Sequence, residues 1–93
     1  MAKVKVIFPS VIVSVTAGEK ETELTASTLN EAIDKLVAKY GDKFKDRVLD
    51  SSSKPKRLLN FYVNGKNIRF LKNLETTLND GDKISILPLV SGG

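Results

Sequence analysis

The chain predicts an α+β fold: a mixed sheet of four to five strands with one main helix across one face. Three observations carry that expectation. Lys3-Val4-Lys5-Val6-Ile7-Phe8 alternates, with Val4, Val6 and Phe8 on one face and lysines on the other, the period-two mark of a half-buried strand. Residues 28–41 hold one amphipathic helix with both a start and a stop signal. The last third reads as a tight hairpin and one further strand. A single helix laid on one face of such a sheet accounts for every apolar stripe.

Pro9-Ser10 breaks the first strand, and Val11-Ile12-Val13-Ser14-Val15 reads as a second strand of uncertain register. Ala17-Gly18-Glu19 is a turn. Lys20 to Thr25 is a further strand whose only strongly apolar member is Leu24. Its charges suit a sheet edge, where they discourage unwanted pairing. Thr28 and Glu31 form a reciprocal capping box: the threonine hydroxyl takes a free amide and the glutamate reaches back. Leu29, Ala32, Ile33, Leu36, Val37 and Tyr40 then follow at helical spacing, and Gly41 stands where a left-handed residue ends a helix. Tyr40 belongs to that stripe, which makes it a packing residue rather than a binding aromatic.

Asp42 to Asp50, with Phe44, Val48 and Leu49 among charges, predicts a short second helix or a helical turn. Residues 51–57 form a loop on composition. Its cations Lys54, Lys56 and Arg57 read as a solvated run, with contact to a partner as the alternative. Leu59 to Val63 is a strand, Asn64-Gly65 is a strong hairpin signal because both turn positions need positive φ, and Lys66 to Leu71 is the expected return strand. Leu74 and Leu78 are spaced for one helical turn. Asn79-Asp80-Gly81-Asp82 is a tight turn before the last strand, Lys83 to Leu87, which Pro88 is expected to end because it lacks an N–H for the ladder.

Ninety-three residues fit one domain, here 1–93, with residues 88–93 as a projecting C-terminal tail. Apolar residues make up 41% and charged residues 28%. No apolar run approaches the ~20 residues of a membrane span, and the N-terminus lacks a signal-peptide core, so the expected compartment is the cytoplasm. The chain has no cysteine and no histidine. That removes disulfides, the usual ligands of structural zinc, thiol nucleophiles and the commonest neutral-pH proton shuttle, so no metal site is expected and an independent enzyme is not. The net charge of +4 favours acidic partners.

The chain closes on Leu87-Pro88-Leu89-Val90-Ser91-Gly92-Gly93. Two glycines make an arm thin enough for a narrow slot, with a carboxylate at its tip. With a pKa near ~3.5 that carboxylate is ionised and a poor electrophile; joined to AMP it would become a reactive acyl group. Leu87, Pro88, Leu89, Val90 and Ser91 are the candidate partner-binding residues, each large apolar side chain worth roughly 1.5–3 kcal/mol if fully buried. Pro88 lowers the ordering cost of inserting the arm. For Leu89 and Val90, packing on the protein's own core is an equal alternative.

The order of elements is that of a β-grasp, and the chain resembles the ubiquitin-like sulfur carriers. These comprise the molybdopterin synthase small subunit, the thiamine-pathway carrier and the cysteine-forming carrier. The resemblance rests on Phe61-Tyr62-Val63-Asn64-Gly65, Ile68-Arg69-Phe70, the run from Asn79 to Pro88, and Val90-Ser91-Gly92-Gly93, with the helix Leu29 to Tyr40 and Asp50-Ser51-Ser52 in keeping. The resemblance implies that an E1-like adenylyltransferase joins Gly93 to AMP using ATP, that a sulfur donor (a desulfurase, persulfide or sulfide) converts it to a thiocarboxylate, and that a downstream acceptor takes the sulfur. That acceptor would be a molybdopterin synthase large subunit, of which this chain would be the small non-catalytic partner, or a cysteine synthase. No cofactor bound by the chain itself is implied.

Two other functions fit parts of the sequence. A ubiquitin-like modifier would use the same Gly93 carboxyl for isopeptide bonds to lysines. A basic nucleic-acid-binding module would use the +4 charge with Phe61, Tyr62 and Phe70. Phe61 and Tyr62 are adjacent and point to opposite sheet faces, so at most one could join a stacking platform, which argues against nucleic acid.

Overall fold

The computed structural model describes residues 1–88. Strand β1 (Ala2–Ile7) pairs antiparallel with β2 (Glu21–Ala26) over six residue pairs, from Ala2↔Ala26 to Ile7↔Glu21. Helices α1 (Leu29–Tyr40) and α2 (Asp42–Val48) follow, then β3 (Leu59–Val63), β4 (Lys66–Asn67) and β5 (Lys83–Pro88). The sheet order is β2-β1-β5-β3-β4, with β5 central, parallel to β1 and antiparallel to β3. This is the β-grasp arrangement, and the charged β2 lies at an edge as its sequence predicts.

The alternation in β1 sends Val4, Val6 and, just beyond it, Phe8 to one face, where they meet Phe61 and Val63 of β3 and Ile84 and Ile86 of β5. The buried stripe of α1 (Leu29, Ala32, Ile33 and Leu36) covers them, and Phe44 and Val48 of α2 close one end. Tyr40 packs edge-on against Phe8, at 5.6 Å between ring centroids, and tilted against Phe44 at 5.5 Å. Gly41 takes φ 91° and ψ −168°, a region open essentially to glycine alone. It ends α1 and begins α2 without a connecting loop.

Several expectations need correction. Ser10–Val15 is a 3₁₀ helix, not a strand. Pro9 stands at its N-cap, its carbonyl accepting the Ile12 N–H at 3.1 Å, and the 3₁₀ path sinks Ile12 into the core. The return strand after Asn64-Gly65 stops at Asn67, whose side chain accepts the Arg69 N–H at 2.9 Å and opens a 3₁₀ turn, Ile68–Phe70. The helical turn expected between Leu74 and Leu78 is a short 3₁₀ piece, Asn73–Glu75. Thr28 caps α1 as expected, accepting the Glu31 N–H at 3.2 Å, but the Glu31 carboxylate reaches one residue further, to the Ser27 N–H at 2.8 Å. Pro88 does not stop the last strand before it: it is the final member of β5, opposite Leu59.

Candidate functional site

The candidate site begins where β5 runs out. Ile84 and Ile86 are anchored in the core, at 1% and 0% exposure, and alternation turns Lys83, Ser85 and Leu87 to the open face of the sheet. Leu87 is 46% exposed and Pro88 is exposed. β1 pairs with β5 only as far as Ile7↔Ser85, whereas β3 follows it to Leu59↔Pro88. The last stretch of β5 is therefore held on one side and bare on the other. Proline at its end removes one donor from that bare edge, which discourages pairing with stray strands.

Of the predicted site residues, the structure brings Leu87 and Pro88 together at the exposed end of a rigid central strand. Leu89, Val90, Ser91, Gly92 and Gly93 lie outside the described residues. On the open face, Leu87 stands opposite Asn60 of β3, and the next row holds Ile7, Ser85 and Tyr62 side by side. Ile7 and Tyr62 are half-buried and flank Ser85, one row before the strand end. Phe61 is 1% exposed and belongs to the core, which leaves Tyr62 as the one of that pair on the open face.

Among the described residues, the one polar cluster with shifted acidities lies at the same end of the sheet. The Tyr40 hydroxyl donates to Glu19 Oε1, Lys39 Nζ lies 3.6 Å from the same carboxylate, and Lys39 also donates to Thr22 Oγ1 at 2.6 Å. Burial, with the Glu19 hydrogen bond adding to it, pushes the Tyr40 phenol up to about 12. The hydrogen bond from Tyr40 pulls the Glu19 carboxyl below its ordinary value, against a smaller opposing desolvation and with help from Lys39. These groups tie Glu19 of the 8–20 connection, and Thr22 of β2, to α1. Among the described residues no group of three or more His, Cys, Asp or Glu is placed to hold a metal ion, and no helix is long and apolar enough to cross a membrane.

Lys54, Lys56 and Arg57 are exposed, as a solvated run would be, yet they do not stand alone. The fold brings Arg69 and Lys72, from the segment after β4, to the opposite side of the same groove. Sequence spacing gave no hint of this, because the two groups are separated by the whole β3–β4 hairpin.

The ThiS family pattern matches residues 6–93. The sulfur carrier protein CysO of Mycobacterium tuberculosis is 38% identical over 92 residues, covering 97% of this chain and 98% of that protein. CysO in the Amycolatopsis orientalis BexX/CysO complex superposes with a TM-score of 0.85 at 37% identity, covering 97% of this chain and 99% of that one. The small archaeal modifier protein 1 of Methanosarcina acetivorans superposes with a TM-score of 0.82 at 36% identity, covering 100% of this chain and 98% of that one.

Proposed function

The chain belongs to the ThiS family, and on that premise we propose that it is a sulfur carrier working through the carboxyl of Gly93. An E1-like adenylyltransferase consumes ATP, joins the Gly93 carboxylate to AMP and releases pyrophosphate. A sulfur nucleophile from a desulfurase, a persulfide or sulfide then attacks the acyl carbon, AMP leaves, and a thiocarboxylate remains for a biosynthetic enzyme to take. Activation is needed because a carboxylate with a pKa near ~3.5 does not react with nucleophiles at neutral pH. With no cysteine in the chain, a persulfide on this protein has no place to form. On this reading the chain is a cosubstrate and works in the cytoplasm.

One observation carries the reading. A strand fixed by Ile84 and Ile86 ends in exposed Leu87-Pro88, and five residues later the sequence closes on Gly92-Gly93. The core thus presents, rather than buries, Leu87 and Pro88, the described residues nearest the diglycine. Of the sulfur routes, the CysO relatives support the cysteine-forming one, with a cysteine synthase as acceptor. Co-expression with the cognate E1-like enzyme should give, by intact mass, a species in which one oxygen is replaced by sulfur, and deletion of Gly92-Gly93 should abolish it. Its persistent absence with a competent enzyme present would overturn the proposal. The similarity to an archaeal modifier protein favours a second use of the same carboxyl, conjugation to lysines. Immunoblots from cells should then show a higher-mass ladder that disappears with the diglycine; free protein alone would exclude that use.

A further inference from the structure

A groove of about 520 Å³ lies between residues 54–57 on one wall and residues 67–75 on the other, with β3 as its floor. Among the described residues its cations are Lys54, Lys56, Arg57, Arg69 and Lys72, and its one acid is Glu75. Five against one leaves the groove at +4, the net charge of the entire chain, so the ten cations and ten acids elsewhere cancel. All five cations are exposed, and neither ion pair found among the described residues includes any of them. The groove also has an apolar component: Pro55, Leu59 and Leu74 line it and are half-buried.

We infer that this groove docks an acidic, partly apolar segment of the protein that receives the tail. Three features select that occupant. The positive charge is concentrated, unpaired and spread along two walls, which suits a row of carboxylates on a partner surface. The half-buried apolar residues of walls and floor favour a peptide with apolar side chains among its acids over a ligand that is charged throughout. The groove's own lining offers no stacking platform: Phe61 is 1% exposed, and Phe70, 80% exposed, is not among the lining residues. Position supplies the link to the tail. Leu59 lines the groove and pairs with Pro88, so a protein that grasps the strand end also passes over these cations. That last step, the identity of the partner, rests on the carrier reading above. The side chains are long and solvated, so the groove acts chiefly on the rate of encounter and on its salt dependence.

The experiment uses three double variants that remove the same charge: Lys54→Glu/Lys56→Glu on one wall, Arg69→Glu/Lys72→Glu on the other, and Lys43→Glu/Lys45→Glu on the exposed side of α2 as the control. A synthetic peptide alternating glutamate and leucine is titrated into each and followed by amide chemical shifts. Shifts should concentrate in residues 54–61 and 67–75, persist in the α2 variant and vanish in both wall variants. Shifts spread over the surface, equal losses in all three variants, or tighter binding of inorganic phosphate or an oligonucleotide at the same residues would overturn the assignment. Association with the E1-like enzyme is then timed. Each wall variant should slow it by ~10-fold or more at low salt, and the α2 variant by less than ~3-fold. If the thiocarboxylate forms and the wall variants associate as fast as the control, the groove inference fails and the carrier reading stands. If no thiocarboxylate forms on the wild type, the carrier reading fails, while the peptide titration still decides what the groove binds.

Discussion

The molecule contains two hairpins that reverse the expectation their turns create. β3–β4 has the better turn: Asn64 and Gly65 sit at φ 53° and 85°, as a two-residue hairpin requires. Its ladder nevertheless stops after two pairs. β1–β2 is joined by a long, irregular connection through Pro9 and a 3₁₀ helix, yet pairs six residues. A turn decides where a ladder starts; what the return segment does next decides how far it runs. In β2 the residues Thr22, Leu24 and Ala26 keep facing the core, so each further pair adds burial. After Asn67 the chain instead puts Ile68 inward through a 3₁₀ turn and leaves Phe70 80% exposed. The aborted ladder is what leaves room beside β3 for the cationic groove, whereas the completed one closes the opposite edge with mixed charges.

If the β1–β2 side is sealed and the β4 side open, equal truncations should cost unequal amounts. Ile12 is 1% exposed under the connection, and Ile68 is 6% exposed beside the groove. Within the ~2–5 kcal/mol range for such changes, Ile12→Ala should lose about 3–4 kcal/mol and Ile68→Ala about 2, because neighbours at the groove can relax into the space. Urea denaturation midpoints measure both; equal losses would erase the distinction between the two sides.

The β3–β4 turn should matter next. The Asn64 side chain donates to Asp82 Oδ1 at 2.8 Å and accepts the Lys83 N–H at 2.9 Å, tying the turn to the start of β5. Asn64→Ala removes both links and puts alanine at positive φ, for a loss of about 1–2 kcal/mol by the same measurement. Asn67→Ala should cost less, about 0.5–1 kcal/mol, by freeing the Arg69 N–H. Its signature is faster hydrogen exchange at Arg69. No change in that rate would mean the cap does not set the end of β4.

What the sequence made legible follows the same division. α1, β1, the Asn-Gly turn and β5 were readable because each is announced by local periodicity or a φ requirement. The segments Val11 to Val15 and Ile68 to Leu71 were not. Both have strand-forming residues; the first instead turns after Pro9 and buries Ile12, the second turns at the Asn67 side chain and buries Ile68, outcomes decided in three dimensions. At the site, β5 runs one residue further than its pattern announces, because Pro88 stays in register opposite Leu59. The joining of Lys54, Lys56 and Arg57 with Arg69 and Lys72 depends on how the hairpin folds back, and no spacing rule encodes it.

The smallest expected effect tests how the long connection is pinned on the sealed side. The protonated Tyr40 phenol is the form that packs against Phe8 and Phe44 and donates to Glu19. With its folded pKa raised to about 12 from an ordinary value near ~10, its contribution is complete below about pH 10 and is lost as pH climbs from there through 12. Glu19 works in the other sense. Its pKa is lowered, so its share is present above the ordinary carboxylate value and fades as pH falls through the depressed one. Tyr40→Phe keeps the ring and removes the donor. The stability difference between wild type and this variant should therefore be a plateau that declines at both ends, and the variant should lose the phenolate absorbance step near pH 12. A difference that stays level from acid to alkali would mean the hydroxyl merely faces solvent, leaving ring packing and Lys39 to hold the connection against the helix.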